Sequence, residues 1–100
     1  MDMFLKSVSA VNDETRVRLL KFINTNGKVC VCDLEKSFDM IQSRLSRHLK
    51  ILKEAGFLAL NREGRWAYYN INTSLDTFLQ SCLTQIETLT LDIPKLQKAC

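Results

Sequence analysis

The sequence predicts a mainly α domain with a small β-hairpin, a winged helix-turn-helix in the order α-α-α-α-β-β-α, and three observations carry that prediction. A basic amphipathic segment at 42–52 follows a short helical stretch and a turn. Next comes a run of strand formers split by a tight Glu63-Gly64 turn. Helical apolar spacings open and close the chain. One hundred residues with 46% apolar content make a single globular domain over residues 1–100, whose first and last helices are free to pair subunits. A core this small is only marginally stable alone, which favours a dimer.

The first helix is expected from Phe4, Leu5, Val8 and Val11, which share one side at helical spacing. Asn12-Asp13 breaks it and caps the second helix, where Val17, Leu19, Leu20 and Ile23 are the apolar positions and Asn26-Gly27 is the stop. A third, shorter helix begins near Cys30 or Cys32 and runs to about Ser37, with Phe38-Asp39-Met40 as the turn into the fourth. There Leu45, Leu49 and Leu52 form the buried stripe and Ser43, Arg44, Arg47 and Lys50 the outer side, until Gly56 ends the helix. Strands are expected at 58–62 and 65–71, a basic hairpin placed as a wing. Finally, Leu75, Leu79, Cys82, Ile86, Leu89 and Ile93 step alternately by four and three, the seam of a helix that packs along another, until Pro94. Phe4, Val8, Leu75, Leu79, Cys82, Ile86 and Leu89 form the expected dimerisation set.

Charge is distributed unevenly. The net charge is +3, yet residues 42–65 hold Arg44, Arg47, Lys50, Lys53, Arg62 and Arg65 against Glu54 and Glu63, a local +4 that leaves −1 elsewhere. Concentrated positive potential on a reader-like helix is the footprint of a phosphate-binding surface. Gln42, Ser43, Arg44, Ser46, Arg47, His48 and Lys50 are the expected contacts to double-stranded DNA from the helix. Arg and Gln suit bidentate bonds to guanine and adenine edges, while Arg62 and Arg65 of the wing suit backbone or minor-groove contacts. One such helix covers a few base pairs, so specific binding calls for a homodimer reading half-sites about 34 Å apart.

No signal pattern is present, nor any run near the ~18 apolar residues needed to span a bilayer, so a cytoplasmic protein without a membrane partner is expected. Four cysteines in such a compartment read as metal, redox or packing residues rather than a disulfide frame. No Ser-His-Asp set, glycine-rich phosphate loop, CxxC pair or carboxylate dyad supports an enzyme. One histidine excludes a multi-histidine metal centre.

The pair Cys30 and Cys32 lies ten residues before the reader helix. Residues i and i+2 point apart on a regular helix, so one soft ion gripped by both would distort the first turn of the helix that buttresses the reader. Both could equally be small buried hydrophobes. Cys82, on the apolar seam, reads as packing, and either Cys82 or Cys100 could complete a three-thiolate shell.

With these motifs in view, the chain resembles the ArsR/SmtB family of metalloregulatory repressors, and more narrowly its arsenical-resistance branch. Asp13-Glu14-Thr15-Arg16-Val17-Arg18-Leu19-Leu20 is similar to the family's second-helix motif, with Glu14 where proline is usual. Val29-Cys30-Val31-Cys32-Asp33-Leu34 matches the arsenic-sensing CVCDL motif. Residues 43–56 and 62–69 resemble the reader helix and wing. The resemblance implies a homodimeric repressor on operator DNA, with no permanent cofactor, released when trivalent arsenic or antimony binds Cys30 and Cys32. A thiol-based redox sensor or a cadmium sensor is the alternative. One departure stands out: the family's third cysteine is replaced by Glu35, a hard oxygen donor poorly matched to a thiophilic ion. The last helix also lacks the Asp and His ligands of the zinc-sensing branch.

Overall fold

The computed structural model describes residues 1–99, and Cys100 lies outside the described residues. Helices α1 (Asp2–Ala10) and α2 (Glu14–Asn26) are followed by a short strand β1 (Val29–Cys30), helices α3 (Val31–Phe38) and α4 (Gln42–Glu54), strands β2 (Leu58–Glu63) and β3 (Trp66–Ile71), and helix α5 (Thr77–Thr88). The expected order therefore holds, with one element added. β1 pairs antiparallel with β3, Val29 opposite Tyr69 and Cys30 opposite Tyr68, giving a three-stranded sheet in the order β1-β3-β2. Two residues carry no alternation of their own, so only the sheet edge they meet makes them a strand.

Local chemistry sets the boundaries. The Asp13 side chain accepts from Arg16 N at 3.0 Å and caps α2, and Gly27, at φ 78°, ends it. Asp39 takes the left-handed conformation (φ 49°) after α3, and Met40 N donates to Glu35 O, which turns the chain into α4. The wing runs in continuous register from Leu58 opposite Ile71 to Glu63 opposite Trp66, closed by Gly64 at φ 63°.

Leu19, Leu20, Phe22 and Ile23 of α2, Leu34 of α3, and Leu45, Leu49 and Leu52 of α4 are fully buried in one core with Phe57. The α4 stripe is the one its i, i+4, i+7 spacing predicts. Phe38 meets Phe22 edge to face at 5.1 Å between ring centroids and fixes the end of α3 on α2.

Two expectations are corrected at the ends of the chain. The inner residues of α1 are Ser7 and Ala10, while Phe4, Leu5 and Val8 stay exposed. The last helix does not run through Ile93: Asp76 caps it by accepting from Leu79 N at 2.9 Å, and Leu89 turns extended (ψ 139°). Thr88, Thr90 and Asp92 are poor helix formers there, and Pro94 blocks continuation. Leu75 precedes the helix, and Ile93 and Leu96 reach the core from an extended strap over residues 89–99.

Candidate DNA interface and thiol site

α4 presents Gln42, Ser43, Arg44, Ser46, Arg47 and Lys50 to solvent along one face. Among the described residues, none of these cations is neutralised by a salt bridge within the chain, so their charge faces outward. On the wing, Arg62 and Arg65 are exposed, and the Arg65 guanidinium lies 5.2 Å from the Trp66 ring centroid. Trp66 thus holds one wing cation in place. Glu63, the wing's acidic residue, is paired with Lys28, whose ammonium also sits 4.9 Å from the Tyr68 ring centroid. The hydrogen bond to Glu63 holds Lys28 above its ordinary value, against the opposing effect of desolvation and with help from the charges of Glu63 and Tyr68. Lys28, absent from the expected set, leaves the wing tip net positive.

His48, expected among the DNA contacts, does not share the exposed face of the other α4 residues. It is 7% exposed and turned into the protein, three residues after Leu45 and four before Leu52, and so on the stripe that the leucines define. Arg16, itself buried, donates through Nη1 to His48 Nδ1 at 3.2 Å, through Nε to Ala10 O at 2.8 Å and through Nη2 to Ser9 O at 3.2 Å. Since Arg has donors only, Nδ1 must accept and the imidazole is neutral with its proton on Nε2. Burial, chiefly, pushes His48 below its ordinary value, Asp13 opposes this, and the charges of Arg16, Arg44 and Arg47 add to it. Arg16 ties the end of α1 to α2 and α4, which nothing in its sequence position announces.

The two neighbouring cysteines sit at a junction. Cys30 is the last residue of β1 and, with extended φ −74° and ψ 146°, the N-cap of α3, while Cys32 lies in the first turn of α3. Cys30 is buried and Cys32 half-buried. Cys30 and Cys82 are free thiols, whereas Cys32 is disulfide-bonded, which corrects the expectation that all the cysteines are reduced. No group of three Cys, His, Asp or Glu side chains placed to hold a metal ion occurs among the described residues. Asp33 is 3% exposed, but its carboxylate is occupied: Oδ1 accepts from Ala99 N at 2.8 Å and Oδ2 faces Lys98 Nζ at 3.5 Å. The soft donors at this junction are therefore the free thiol of Cys30 and, once its disulfide is reduced, that of Cys32.

Cys82 belongs to another surface. It lines an apolar groove of about 380 Å³ with Val11, Val17, Phe78, Ile86 and Leu89, and burial, then the charge of Asp76, pushes its thiol up. This agrees with a packing role. Within the expected dimerisation set, Leu79 and Ile86 are buried in the protomer's own core, so their side of α5 serves the fold first. Phe4, Val8 and Leu89 remain exposed, Cys82 and Leu75 partly so.

Comparison with known proteins bears on this arrangement. Residues 13–59 match the family model described as bacterial regulatory protein, arsR family. HTH-type transcriptional regulator MJ1325 of Methanocaldococcus jannaschii is 40% identical over 62 residues, which are 62% of this chain and 70% of that protein. The chain belongs to the ArsR family. Other relatives are the arsenic resistance transcriptional regulator ArsR1 of Pseudomonas putida, 37% identical over 71% of this chain, and the arsenical resistance operon repressor of Bacillus subtilis, 41% identical over 63% of it. This ArsR-family chain spans 56% and 60% of their respective lengths. Among solved structures, the homodimeric winged helix-turn-helix domain Mb0332 of Mycobacterium bovis superposes with a TM-score of 0.73 at 21% identity, covering 86% of this chain and 76% of that one. A possible transcriptional regulator for arsenical resistance gives 0.65 at 28% identity, covering 81% and 79%. The fold of this ArsR-family member is thus the winged helix-turn-helix. No helix among its described residues is long and apolar enough to cross a membrane.

Proposed function

We propose that this protein is a transcriptional repressor that binds operator DNA as a homodimer and releases it when trivalent arsenic or antimony is captured by Cys30 and Cys32. The observation that carries the proposal is the position of Cys30. It caps α3, which packs on α4, and it is paired in β1 with Tyr68 of β3, the inner strand of the wing. Both elements that would touch DNA are anchored through one cysteine.

Thiolates are the donors suited to a soft trivalent metalloid, and the carboxylates nearby are either engaged, as Asp33, or chemically mismatched, as Glu35. Once a cellular thiol has reduced the Cys32 disulfide, Cys30, on a strand, and Cys32, on a helix, must draw together to share one ligand. That movement costs the first turn of α3 its helical geometry and pulls at the β1–β3 pairing. Arg44, Arg47, Arg62 and Arg65 would then lose their common alignment. A coupling of about 1–3 kcal/mol, equal to roughly 5–150-fold in affinity, suffices for release. Mb0332 and the arsenical resistance repressors support the dimer and the effector by their descriptions.

The test is operator affinity with and without arsenite under a phosphine reductant. Arsenite should weaken binding within that range in the parent protein and leave Cys30→Ser and Cys32→Ser unmoved. Combined Arg44→Ala and Arg47→Ala should lower affinity and flatten its salt dependence by about two phosphate contacts. Unchanged affinity at saturating arsenite would exclude the effector. Loss of binding on peroxide treatment, with arsenite inert, would favour a redox sensor.

A further inference from the structure

Ile41 stands outside the core at the start of the reader helix. It is the N-cap of α4, with φ −66° and ψ 149°, and its carbonyl accepts from Leu45 N at 3.1 Å to begin the helix. A step of four back along the stripe of Leu45, Leu49 and Leu52 arrives at Ile41. The extended ψ ends the helical geometry there, however, and Ile41 is 71% exposed. Met40, the residue before it, packs against the core and supplies the apolar contact at this end of α4.

Isoleucine is doubly unfavourable in this position. The first N–H groups of a helix need acceptors, which Ser, Thr, Asp or Asn provides at a cap and Ile does not, and α4 has no side-chain cap bond. Asp13 and Asp76 do provide one for α2 and α5. A large aliphatic group is also left in water. Elsewhere among the described residues, the exposed large apolar side chains lie on or beside α1, at the end of α5, or, as Trp66, against a wing cation. Of this set, only Ile41 adjoins the DNA-facing helix.

Its neighbours decide what it meets. Gln42, Ser43, Arg44 and Arg47 are exposed beside it, and among the described residues no salt bridge neutralises the two arginines, so the surroundings favour a polyanion. Residues at the N-terminal end of a reader helix lie against base edges in the major groove. Those edges are hydrogen-bond donors and acceptors with one apolar exception, the C5 methyl of thymine. Isoleucine, whose side chain neither donates nor accepts, matches that exception.

We infer that Ile41 is a specificity-determining residue that reads a thymine methyl in each half-site. The inference rests on the DNA-binding reading above and goes beyond it in naming the base and the atom recognised. Binding then covers an aliphatic group that the free protein leaves in water.

Replacing thymine by deoxyuridine removes only the methyl. The test is a thymine-by-thymine substitution scan, under a phosphine reductant, of a duplex that the parent protein selects from a fully randomised pool. One position in each half-site should weaken binding about fourfold when changed, the effect of exposing one carbon, and about 15-fold when both are changed. Ile41→Ser and Ile41→Ala should bind the thymine and deoxyuridine duplexes equally, with an unaltered salt slope because no phosphate contact is lost. Ile41→Ser supplies a cap, so its melting midpoint should equal or exceed the parent's, which separates lost readout from lost fold. A parent protein indifferent to every thymine methyl, or equal sensitivity in the parent and both variants, would overturn the assignment while leaving DNA binding in place. Failure of the parent to select any sequence would instead remove the DNA-binding reading itself.

Discussion

His48 shows how a single side chain can be misplaced by composition and placed by spacing. A lone histidine in a basic reader helix suggests a DNA contact, yet its offsets from Leu45 and Leu52 put it on the buried side, where it accepts from Arg16. Its protonated form would leave two donors facing each other. Because the folded state holds His48 below the ordinary 6.5, the unfolded chain takes up the proton first as pH falls. Stability from this site is therefore complete above about 6.5, declines as pH drops below that value, and levels off beneath the folded pKa. Thermal denaturation between pH 7.5 and 5 should show a falling midpoint, and His48→Gln, which keeps a neutral acceptor, should flatten that slope. Asp13 acts at lower pH: burial raises its carboxyl, but the hydrogen bond from Arg16 N and the Arg16 charge outweigh that and lower it. Its capping contribution persists above about 3.8 and is lost as pH falls through the lower folded value. Arg16, Lys28 and Asp33 were not legible as key residues, since each acquires its role from partners far away in the sequence.

At the scale of elements, the joint between α4 and the wing depends on Gly56. Its φ of +96° is one that side-chain-bearing residues rarely adopt, and an added Cβ would stand 3.2 Å from Leu79 Cδ1 on α5. Gly56→Ala should cost about 1–3 kcal/mol, read as a fall in the melting midpoint of roughly 4–8 °C for each kcal/mol. The reader helix and hairpin were the parts most legible in advance, because each carries its own period: i, i+4, i+7 leucines for α4 and a Gly-centred turn between strand formers for the wing. β1 and the strap were not. Two residues are too few for a period, and residues 89–93 continue the helical apolar spacing of α5 although Thr90, Asp92 and Pro94 disfavour helix and contacts with α2 hold the segment outside it. The sequence set the start of α3 near Cys30 or Cys32; the structure starts it at Val31 and makes Cys30 both its N-cap and the end of a strand.

At the scale of the whole molecule, the protomer exposes a coherent apolar face. Phe4 and Leu5 are each 54% exposed and Val8 39%, beside the groove lined by Val11, Val17, Phe78 and Leu89. Phe4 already meets Phe78 at 5.2 Å between ring centroids, joining α1 to α5 along one surface. A second copy of the chain is the occupant the proposed two-fold reading of DNA requires. Val8→Glu should place a charge in that interface without disturbing the core. Light scattering should then report a monomer, with operator affinity lower by at least about tenfold, equivalent to 1.4 kcal/mol. A dimer persisting in Val8→Glu would move the interface elsewhere. The sequence identified the two helices and the apolar character of this face. It could not separate Leu79 and Ile86, which turn inward, from Leu89, because both sides of α5 are apolar and only the packing of α2 against it decides.

The two-residue strand at Val29–Cys30 has a kinetic corollary. Its amides are zipped to the inner hairpin strand over a length too short to survive partial opening, so it should let go as a unit rather than fray. A guest tugging at that zip would detach the groove-reading and backbone-gripping elements in the same event. Derepression would then appear as dissociation of the complex in one step, with no half-attached species accumulating between.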